Sequence, residues 1–215
     1  MQVNEIFTSL SGEPDGFGLQ GSLATFVRLQ GCNLDCKWCD TQEARTFDDW
    51  EDLTVDKVAK RCTCNHTIIT GGEPLLQLEE VMQLVEKLVK KKRLVTIETN
   101  GAIPIAVNCA RARYNFLRFV VDYKLVSSGM TKYMQPEVFN ALYSLDIIKF
   151  VIADMVDYQQ AKELLLNNQH WRAKKVFSPT KLTTEWPKQL AVAILEDKLE
   201  GVTLSLQLHK LLHMA

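Results

Sequence analysis

Short runs of β-branched and apolar residues alternate along the chain with longer amphipathic stretches. Several of these runs are nearly continuous, which is typical of parallel strands buried on both faces. The alternation predicts an α/β fold with a mostly parallel sheet. The predicted strands are Ala24–Gln30, Thr67–Thr70, Leu94–Glu98, Arg118–Tyr123, Asp146–Ala153, Lys174–Phe177 and Val202–Leu208. The predicted helices are Val55–Arg61, Leu76–Lys92, Pro136–Leu142, Tyr158–Asn167 and Thr184–Asp197.

This number of strands is too small for a closed eight-stranded barrel, so the pattern leaves an open, partial barrel or a doubly wound sheet. In both architectures, ligands bind at the carboxyl ends of the parallel strands. We therefore expect the functional residues in the loops that follow the strands.

Composition narrows the function classes. The 215 residues carry a formal net charge of −1, with 47% hydrophobic and 24% charged residues. This balance argues against a strongly basic nucleic-acid-binding protein, and no apolar run is long enough to suggest a membrane span. The first residues contain no secretory signal pattern. We therefore expect one domain over residues 1–215, located in the cytoplasm, where thiols stay reduced and clustered cysteines are more often metal ligands or catalysts than disulfides.

Three cysteines follow the first predicted strand in a single loop, Cys32, Cys36 and Cys39, with the spacing C-x3-C-x2-C. Thiolates bind zinc or iron–sulfur clusters in preference to hard cations. Structural zinc usually has four protein ligands and a four-iron cluster usually has four cysteines, whereas this loop supplies three. A cluster held by three cysteines leaves one iron open to an exchangeable molecule, as catalysis requires.

Two other interpretations of the cysteines remain open at this point. The three thiols could be free, buried side chains, or they could form part of a zinc site. Cys62, Cys64 and His66 could complete such a site. We favour the interpretation that Cys62 and Cys64 are two packed thiols near the start of a strand.

The cysteine spacing resembles that of the radical S-adenosylmethionine (SAM) superfamily, in which three cysteines hold a 4Fe-4S cluster and SAM binds the fourth iron. Trp38 lies where that superfamily often has an aromatic residue, and Gly71-Gly72-Glu73 resembles its GGE motif, which contacts the amino group of SAM. The resemblance implies a partial (β/α)6 barrel, in which a chain of 215 residues leaves room for reduced helices. It also implies SAM contacts along the strand ends, from Lys37, Trp38, Cys39, Gly71, Gly72, Glu73, Glu98, Asp122, Tyr123, Lys124, Ser178, Pro179, Thr180 and Lys181.

Both ends of the chain resemble one family within this superfamily, the 7-carboxy-7-deazaguanine synthases. Residues 5–13 read EIFTSLSGE, similar to the family's EIF-x-T-L-Q-G-E-G, and residues 207–210 read QLHK, similar to its Q-x-H-K. Ser11 and Pro14 depart from the family's usual Gln and Gly. The resemblance implies a lyase that uses a 5′-deoxyadenosyl radical. It would convert 6-carboxy-5,6,7,8-tetrahydropterin into 7-carboxy-7-deazaguanine with loss of ammonia. The product would be a precursor of queuosine or of another deazapurine.

The same resemblance implies roles in substrate binding. Arg28 would bind the substrate carboxylate and Glu13 the N–H donors of the pterin, both as catalytic residues. Gln207 and His209 alternate with leucines, which would place them together on the polar face of the last strand. The implied substrate contacts are Leu10, Ser11, Gly12, Glu13, Arg28, Thr70, Gln207, His209 and the terminal carboxylate of Ala215.

A magnesium ion is also implied. The family binds Mg2+ through the threonine that follows C-D, which is Thr41 in this sequence, with Asp40 beside it. A hydroxyl and a substrate carboxylate are suitable oxygen ligands for a hard cation, so Thr41 is a further predicted catalytic residue. A flavodoxin or ferredoxin reductant and a homodimer are implied as partners, with no membrane and no nucleic acid.

Two alternative functions stay open. One is a radical SAM activase that makes a glycyl radical on a partner protein, because activases share the cysteine spacing. The other is a non-enzymatic, zinc-stabilised binding module. The SGE and QLHK segments favour a small-molecule pocket over the protein-docking surface that an activase would need, whereas the zinc-stabilised module stays open until the metal content is known.

Overall fold

All nine strands of the described residues belong to one sheet. The structure is a computed structural model that describes residues 1–48, 50–104, 115–182 and 184–213. The strands are β1 (Gln2–Leu10), β2 (Leu23–Leu29), β3 (Glu51–Asp52), β4 (His66–Gly71), β5 (Leu94–Thr99), β6 (Leu117–Tyr123), β7 (Ile147–Ile152), β8 (Lys174–Pro179) and β9 (Val202–Leu204). Their order in the sheet is β3-β1-β2-β4-β5-β6-β7-β8-β9.

The order of the parallel strands distinguishes between the two architectures that the sequence leaves open. From β2 and β4 through β9, each strand pairs in parallel with the next. The strand order does not reverse, whereas in a doubly wound sheet it reverses at one point. The sheet is therefore a partial barrel, which confirms the fold implied by the cysteine motif. Strands β1 and β3 extend its first edge in antiparallel fashion.

All but the last of the described helices lie between two strands in the chain, and the last one follows β9. They are α1 (Val55–Arg61), α2 (Leu78–Lys90), α3 (Pro136–Ala141), α4 (Met155–Asn167), α5 (Trp186–Glu196) and α6 (Leu208–Leu211). Helix α2 shows how the sequence directs helix packing: it buries Val81, Leu84, Val85 and Leu88, which recur at helical spacing. Thr54 caps α1 as a hydroxyl acceptor for the Lys57 N–H. None of the described helices is long and apolar enough to cross a bilayer.

The structure corrects the prediction at both ends of the chain. Strand β1 (Gln2–Leu10) was not among the predicted strands; its burial does not follow a clean alternation, so the pattern that identifies a half-buried strand is weak. The last predicted strand, Val202–Leu208, ends at Leu204. Gln207 is the N-cap of α6 and His209 lies within that helix. The prediction that these two residues share a strand face is therefore wrong, because the chain turns into a helix there.

Candidate active site

One cavity of about 430 Å³ lies at the carboxyl ends of the parallel strands. This is the edge where the fold class places ligands. Many of the predicted site residues, which are far apart in sequence, line it together. They are Leu10, Gly12, Glu13, Arg28, Cys32, Cys36, Trp38, Cys39, Thr41, Thr70, Gly71, Gly72, Glu98, Asp122, Lys124, Thr180, Gln207 and His209.

The cysteine loop is held in place by its own backbone. The N–H of Gly31 donates to Ala44 O over 2.8 Å, and the N–H of Cys32 donates to Arg45 O over 3.1 Å. Cys32, Cys36 and Cys39 are free and half-buried. Burial raises the pKa of Cys32 above its usual range and that of Cys36 to about 11, although Lys124 opposes both shifts.

The donor set of this loop fits an iron–sulfur cluster. A thiolate in a partly dry loop needs a positive centre to offset its desolvation, and a bound metal provides one. Within the described part of the chain, no three His, Cys, Asp or Glu side chains are gathered to hold a metal ion. The three thiols are therefore not drawn together around a single ion, as in a closed structural zinc site, and they suit a larger cluster in which each thiolate binds a separate iron.

The second group of cysteines lies at the other edge of the sheet. His66 begins β4, whereas Gly71 ends it and pairs with Leu29 directly before the cysteine loop. The length of β4 therefore separates His66 from that loop, roughly 16 Å at 3.3 Å per residue. The Cys62 thiol donates to Val58 O, and the His66 Nε2 atom is 2.9 Å from Thr96 Oγ1. Cys62, Cys64 and His66 therefore cannot complete a metal site with Cys32, Cys36 and Cys39.

The glycines of the GGE segment serve packing as well as access to the cavity. A Cβ atom on Gly71 would lie 2.2 Å from Leu29 O, and one on Gly72 would lie 2.1 Å from Gly31 O. Gly71 also has a φ of +138°, which is unfavourable for other residues. The loop after β4 therefore packs directly on the backbone that leads into the cysteine loop.

Glu73 points into the protein interior and does not line the cavity. It is fully buried, and its carboxylate accepts hydrogen bonds from Leu75 N (2.9 Å), Thr99 Oγ1 (2.7 Å) and Asn100 N (2.7 Å). These bonds join the loop after β4 to the end of β5. Burial raises the pKa of Glu73 to about 6, although its three hydrogen bonds oppose the shift.

We expect Glu73→Ala to lower the free energy of unfolding of the iron-free protein by about 2 to 4 kcal/mol, because two buried backbone N–H groups lose their acceptor. The raised pKa means that folded Glu73 binds more protons than unfolded Glu73, so its contribution to stability falls as the pH rises through about 6. Denaturant unfolding should therefore show a larger loss at about pH 5 than at about pH 7.5. Glu79→Ala, at an exposed position, is the control, and equal losses in both variants would contradict the role of Glu73.

A cluster of five charged side chains forms the floor of the cavity. The Lys149 ammonium pairs with Glu13 and lies 3.1 Å from Asp122 Oδ1, and Lys124 lies 2.7 Å from the other oxygen of Asp122. Burial alone would raise the pKa of Asp122, but the two ammonium groups outweigh it and hold that pKa below its usual range. Burial and the Glu13 carboxylate raise the pKa of Glu98 to about 7, against the opposing effects of Lys149 and the Thr70 hydroxyl.

The side wall of the cavity next to this cluster is aromatic and cationic. The rings of Phe7 and Phe26 stack with their centroids 5.0 Å apart. The Arg28 guanidinium lies 5.5 Å from the Phe7 centroid, and its Nε donates to Glu5 over 2.7 Å. A single N–H contact with Glu5 leaves the other guanidinium donors available to a planar ligand or a carboxylate.

The C-terminal segment covers the cavity. The N–H of Leu208 donates to Gly12 O over 2.9 Å, and the Gln207 amide donates to Glu13. A Cβ atom on Gly12 would lie 2.2 Å from the His209 imidazole, so the two segments touch. Lys210 pairs with Asp40 over 2.5 Å. The segment from Gln207 to Lys210 therefore spans the distance from the SGE loop to the end of the cysteine loop.

Thr41 is the residue before a short 3-10 helix, Gln42–Ala44, but its hydroxyl does not cap that helix. Instead it donates to Asp40 Oδ1 over 3.2 Å, and Thr41 lines the cavity. Burial alone would raise the pKa of Asp40, but Lys210 and the more distant lysines hold it at about 2. The hydroxyl of Thr41 is therefore available to the cavity beside a carboxylate.

Some predicted contacts lie away from the cavity. Tyr123 packs against Phe139 and Phe150, because successive side chains on β6 point to opposite faces, and those of Asp122 and Lys124 take the cavity side. Ser11 is buried, with its hydroxyl bonded to Glu13 O. The other predicted residues outside the lining are Lys37 and Lys181, which are exposed, and Glu73, Ser178 and Pro179, which are buried. Ala215 lies outside the described residues.

Several polar residues that line the cavity are not among the predicted site residues, and Lys149, Asn100 and Lys210 are three of them. Lys149 is the only charged residue in the apolar run of β7, and that exception was the signal that could have identified it. Asn100 and Lys210 also line the cavity. Asn100 lies two residues after Glu98, and Lys210 directly follows His209, but spacing alone gives neither of them a partner.

The fold and the cysteine loop agree with known proteins. Residues 26–121 match the family model described as the radical SAM superfamily. The chain superposes on QueE from Escherichia coli with a TM-score of 0.74 and 23% sequence identity, over 97% of this chain and 94% of that one. For SuiB of Streptococcus suis, bound to S-adenosylmethionine, the TM-score is 0.56 at 12% identity, over 82% and 45% of the two chains. The chain therefore has the fold of the radical SAM enzymes, and its cysteine loop lies within the part that matches their family model.

Relatives that align over almost their whole length show to which particular family this chain belongs. A 7-carboxy-7-deazaguanine synthase of Clostridium acetobutylicum is 32% identical, with 98% of this chain and 95% of the relative aligned. A protein of the same name from Koribacter versatilis is 37% identical, with 98% and 96% aligned. The chain therefore belongs to the 7-carboxy-7-deazaguanine synthase family, as the motifs at its two ends predict.

Proposed function

We propose that this enzyme converts 6-carboxy-5,6,7,8-tetrahydropterin into 7-carboxy-7-deazaguanine with loss of ammonia. The observation that carries the proposal is that one cavity contains the three-cysteine loop, Arg28, Glu13 and the Gln207–Lys210 segment together. A cation for a carboxylate and acceptors for ring N–H groups therefore lie beside the soft metal ligands.

Cys32, Cys36 and Cys39 would hold the 4Fe-4S cluster, and SAM would lie along the strand ends next to Trp38, Gly71, Gly72 and Thr180. When bound, the reduced cluster and SAM supply the radical that abstracts a hydrogen atom from the substrate. The protein's own contribution is to bind, orient and shield. The buried floor and the covering C-terminal segment support this contribution, because they limit the access of water to the site.

Substrate recognition would depend on one cationic and one anionic side chain. Arg28 would bind the carboxylate of the pterin, supported by its partner Glu5. Glu13, which is fixed by Lys149 and Gln207, would accept hydrogen bonds from the N–H edge of the ring. Burial lowers the pKa of His209, against the opposing effect of Glu13, and this favours a neutral imidazole that can both donate and accept a hydrogen bond at neutral pH.

Mg2+ would be held by the Thr41 hydroxyl together with oxygen atoms of the substrate. Hydroxyl, carboxylate and water oxygens suit this cation. Its role would be to orient the substrate carboxylate. Asp40 would take part through its hydrogen bond with Thr41 and its ion pair with Lys210.

The proposal also includes the reductant, the oligomeric state, the cellular location and the domain organisation of the enzyme. A flavodoxin or ferredoxin would supply the electron, the working state would be a homodimer, and the enzyme would act in the cytoplasm, where reduced thiols are available for the cluster. Residues 1–215 would form a single radical SAM core domain, which the continuity of the sheet supports.

The test is anaerobic reconstitution with iron and sulfide, followed by incubation with SAM, dithionite, Mg2+ and the carboxytetrahydropterin. We expect a brown protein, 5′-deoxyadenosine, and a product with the mass of 7-carboxy-7-deazaguanine. Cleavage of SAM without the deazaguanine product would point instead to an activase. A colourless protein that contains only zinc would remove the radical chemistry altogether.

A further inference from the structure

Asn100 places an amide group against the sulfur of one predicted cluster ligand. It follows the last residue of β5, Thr99, and is 6% exposed. Its Nδ2 atom lies 3.8 Å from Cys32 Sγ and 2.8 Å from Asn33 Oδ1. A longer distance to sulfur than to oxygen is expected, because the sulfur atom is larger. Leu34 N also donates to Cys32 Sγ, over 3.5 Å.

The orientation of this amide follows from its neighbours. The backbone N–H of Ala102 donates to Asn100 Oδ1 over 3.0 Å. A backbone N–H is only a donor, so the atom it contacts must be the oxygen, and the NH2 group must be the one that faces Cys32. The Asn100 backbone N–H is held in turn by the buried Glu73 carboxylate, over 2.7 Å. Backbone and side chain are therefore both fixed.

A hydrogen bond to a ligating sulfur changes the energy of the cluster's two oxidation states. Reduction adds one electron, and the sulfur ligands carry part of the added negative charge. A fixed N–H donor stabilises that charge, so it raises the reduction potential. The effect is strengthened here because Asn100 is buried and poorly screened by water.

We propose that Asn100 is a positioning residue that raises the reduction potential of the iron–sulfur centre through its N–H···S hydrogen bond to Cys32. This inference rests on the proposed function, since it requires the cluster to be bound at the cysteine loop. In the reaction concerned, an external reductant gives one electron to the oxidised cluster, and no covalent bond forms or breaks. Glu73, which the GGE motif associates with SAM, takes part by holding the backbone of Asn100.

Two substitutions separate the hydrogen bond from charge. Asn100→Ala removes the donor without adding a charge. Asn100→Asp keeps an acceptor for Ala102 N and nearly the same shape, but it replaces the donor with a negative group. Asn168→Asp is the matched control, because the Asn168 amide donates to Leu164 O at the end of α4, away from the cysteine loop.

The measurement is the midpoint potential of the reconstituted cluster, from a dithionite titration followed by electron paramagnetic resonance without SAM or pterin. We expect the reduction equilibrium to be about tenfold less favourable in Asn100→Ala, which is about 59 mV for one electron, and still less favourable in Asn100→Asp. Iron per chain should not change, and Asn168→Asp should match the unsubstituted protein.

The outcomes separate this inference from the proposed function. If either Asn100 variant retains its iron and shows the potential of the unsubstituted protein, the inference is wrong. If both variants fail to hold iron, it is also wrong, because Asn100 would then serve cluster assembly and not its potential. If the unsubstituted protein takes up no iron, the proposed function itself fails.

Discussion

Replacement of Cys36 by alanine is expected to abolish iron binding and turnover together. Cys36 is one of three thiols at the cavity, and in the described residues the other cysteines, Cys62 and Cys64, lie at the opposite edge of the sheet. A cluster with only two protein ligands would lose much of its binding free energy, since the thiolates supply the coordination. Iron and sulfide per chain, the cluster absorbance and product formation measure the effect.

Cys64→Ala is the matched control for this prediction. Cys64 is half-buried, and its backbone N–H, which donates to Thr25 Oγ1 over 3.1 Å, does not depend on the thiol. This variant should bind iron and turn over like the unsubstituted enzyme. Retained turnover in Cys36→Ala would contradict the ligand assignment. Loss of iron in Cys64→Ala would show that the two cysteine groups are not independent.

Lys149→Met is expected to lower kcat/KM for the pterin by about a hundredfold, as the loss of one partner of a buried ion pair costs several kcal/mol. The substitution keeps most of the side-chain volume but removes the cation that pairs with Glu13 and Asp122. Glu13 would then lose the partner that fixes it, so we expect the larger change in KM. Steady-state kinetics with reconstituted enzyme provide the measurement.

The pH profile distinguishes this electrostatic role from a general loss of stability. Lys149 opposes the rise in the pKa of Glu98, which is about 7, and helps to hold the pKa of Asp122 below its usual range. Without the ammonium group both pKa values should rise, so the acidic limb of kcat/KM should move to higher pH. A hundredfold loss with an unchanged pH profile would refute the role proposed for Lys149.

Lys175→Met provides the comparison on the neighbouring strand. Lys175 lies on β8, and its ammonium donates to Trp171 O over 2.6 Å, not to a group at the cavity. The same chemical change there should leave kcat/KM and the pH profile unaltered. If both lysine variants lose activity equally, loss of folding would account for the result, and denaturant unfolding of each variant would show it.

The sequence predicts the site best where the ligands are close together in the chain. Cys32, Cys36 and Cys39 lie in one loop directly after a strand, so their spacing places them together without knowledge of the rest of the fold. The rule that ligands bind at the carboxyl ends of parallel strands then predicts Gly71, Glu98 and Asp122 at the same edge. All of these residues line the cavity.

Prediction fails where the direction of a side chain depends on its neighbours. Glu73 and Tyr123 both belong to the expected loops and strands, but neither side chain lines the cavity. Glu73 accepts a hydrogen bond from the end of β5 in the protein interior, and Tyr123 packs among aromatic rings. A motif identifies the segment, but burial and hydrogen-bond partners decide which way each side chain points. Gln207 shows the same limit, because the predicted strand ends before it and a helix begins.

The sequence by itself determined the α/β class, the three-thiol loop and the family motifs at the two ends of the chain. Each of these depends on residues close together in sequence, where local spacing fixes the geometry. Only the tertiary structure decided that Lys149 meets Glu13, 136 positions away, and that Gln207 reaches the same carboxylate across 194 positions. Such pairs form because sheet order and curvature bring distant strand ends together, and no local pattern encodes which of them will meet.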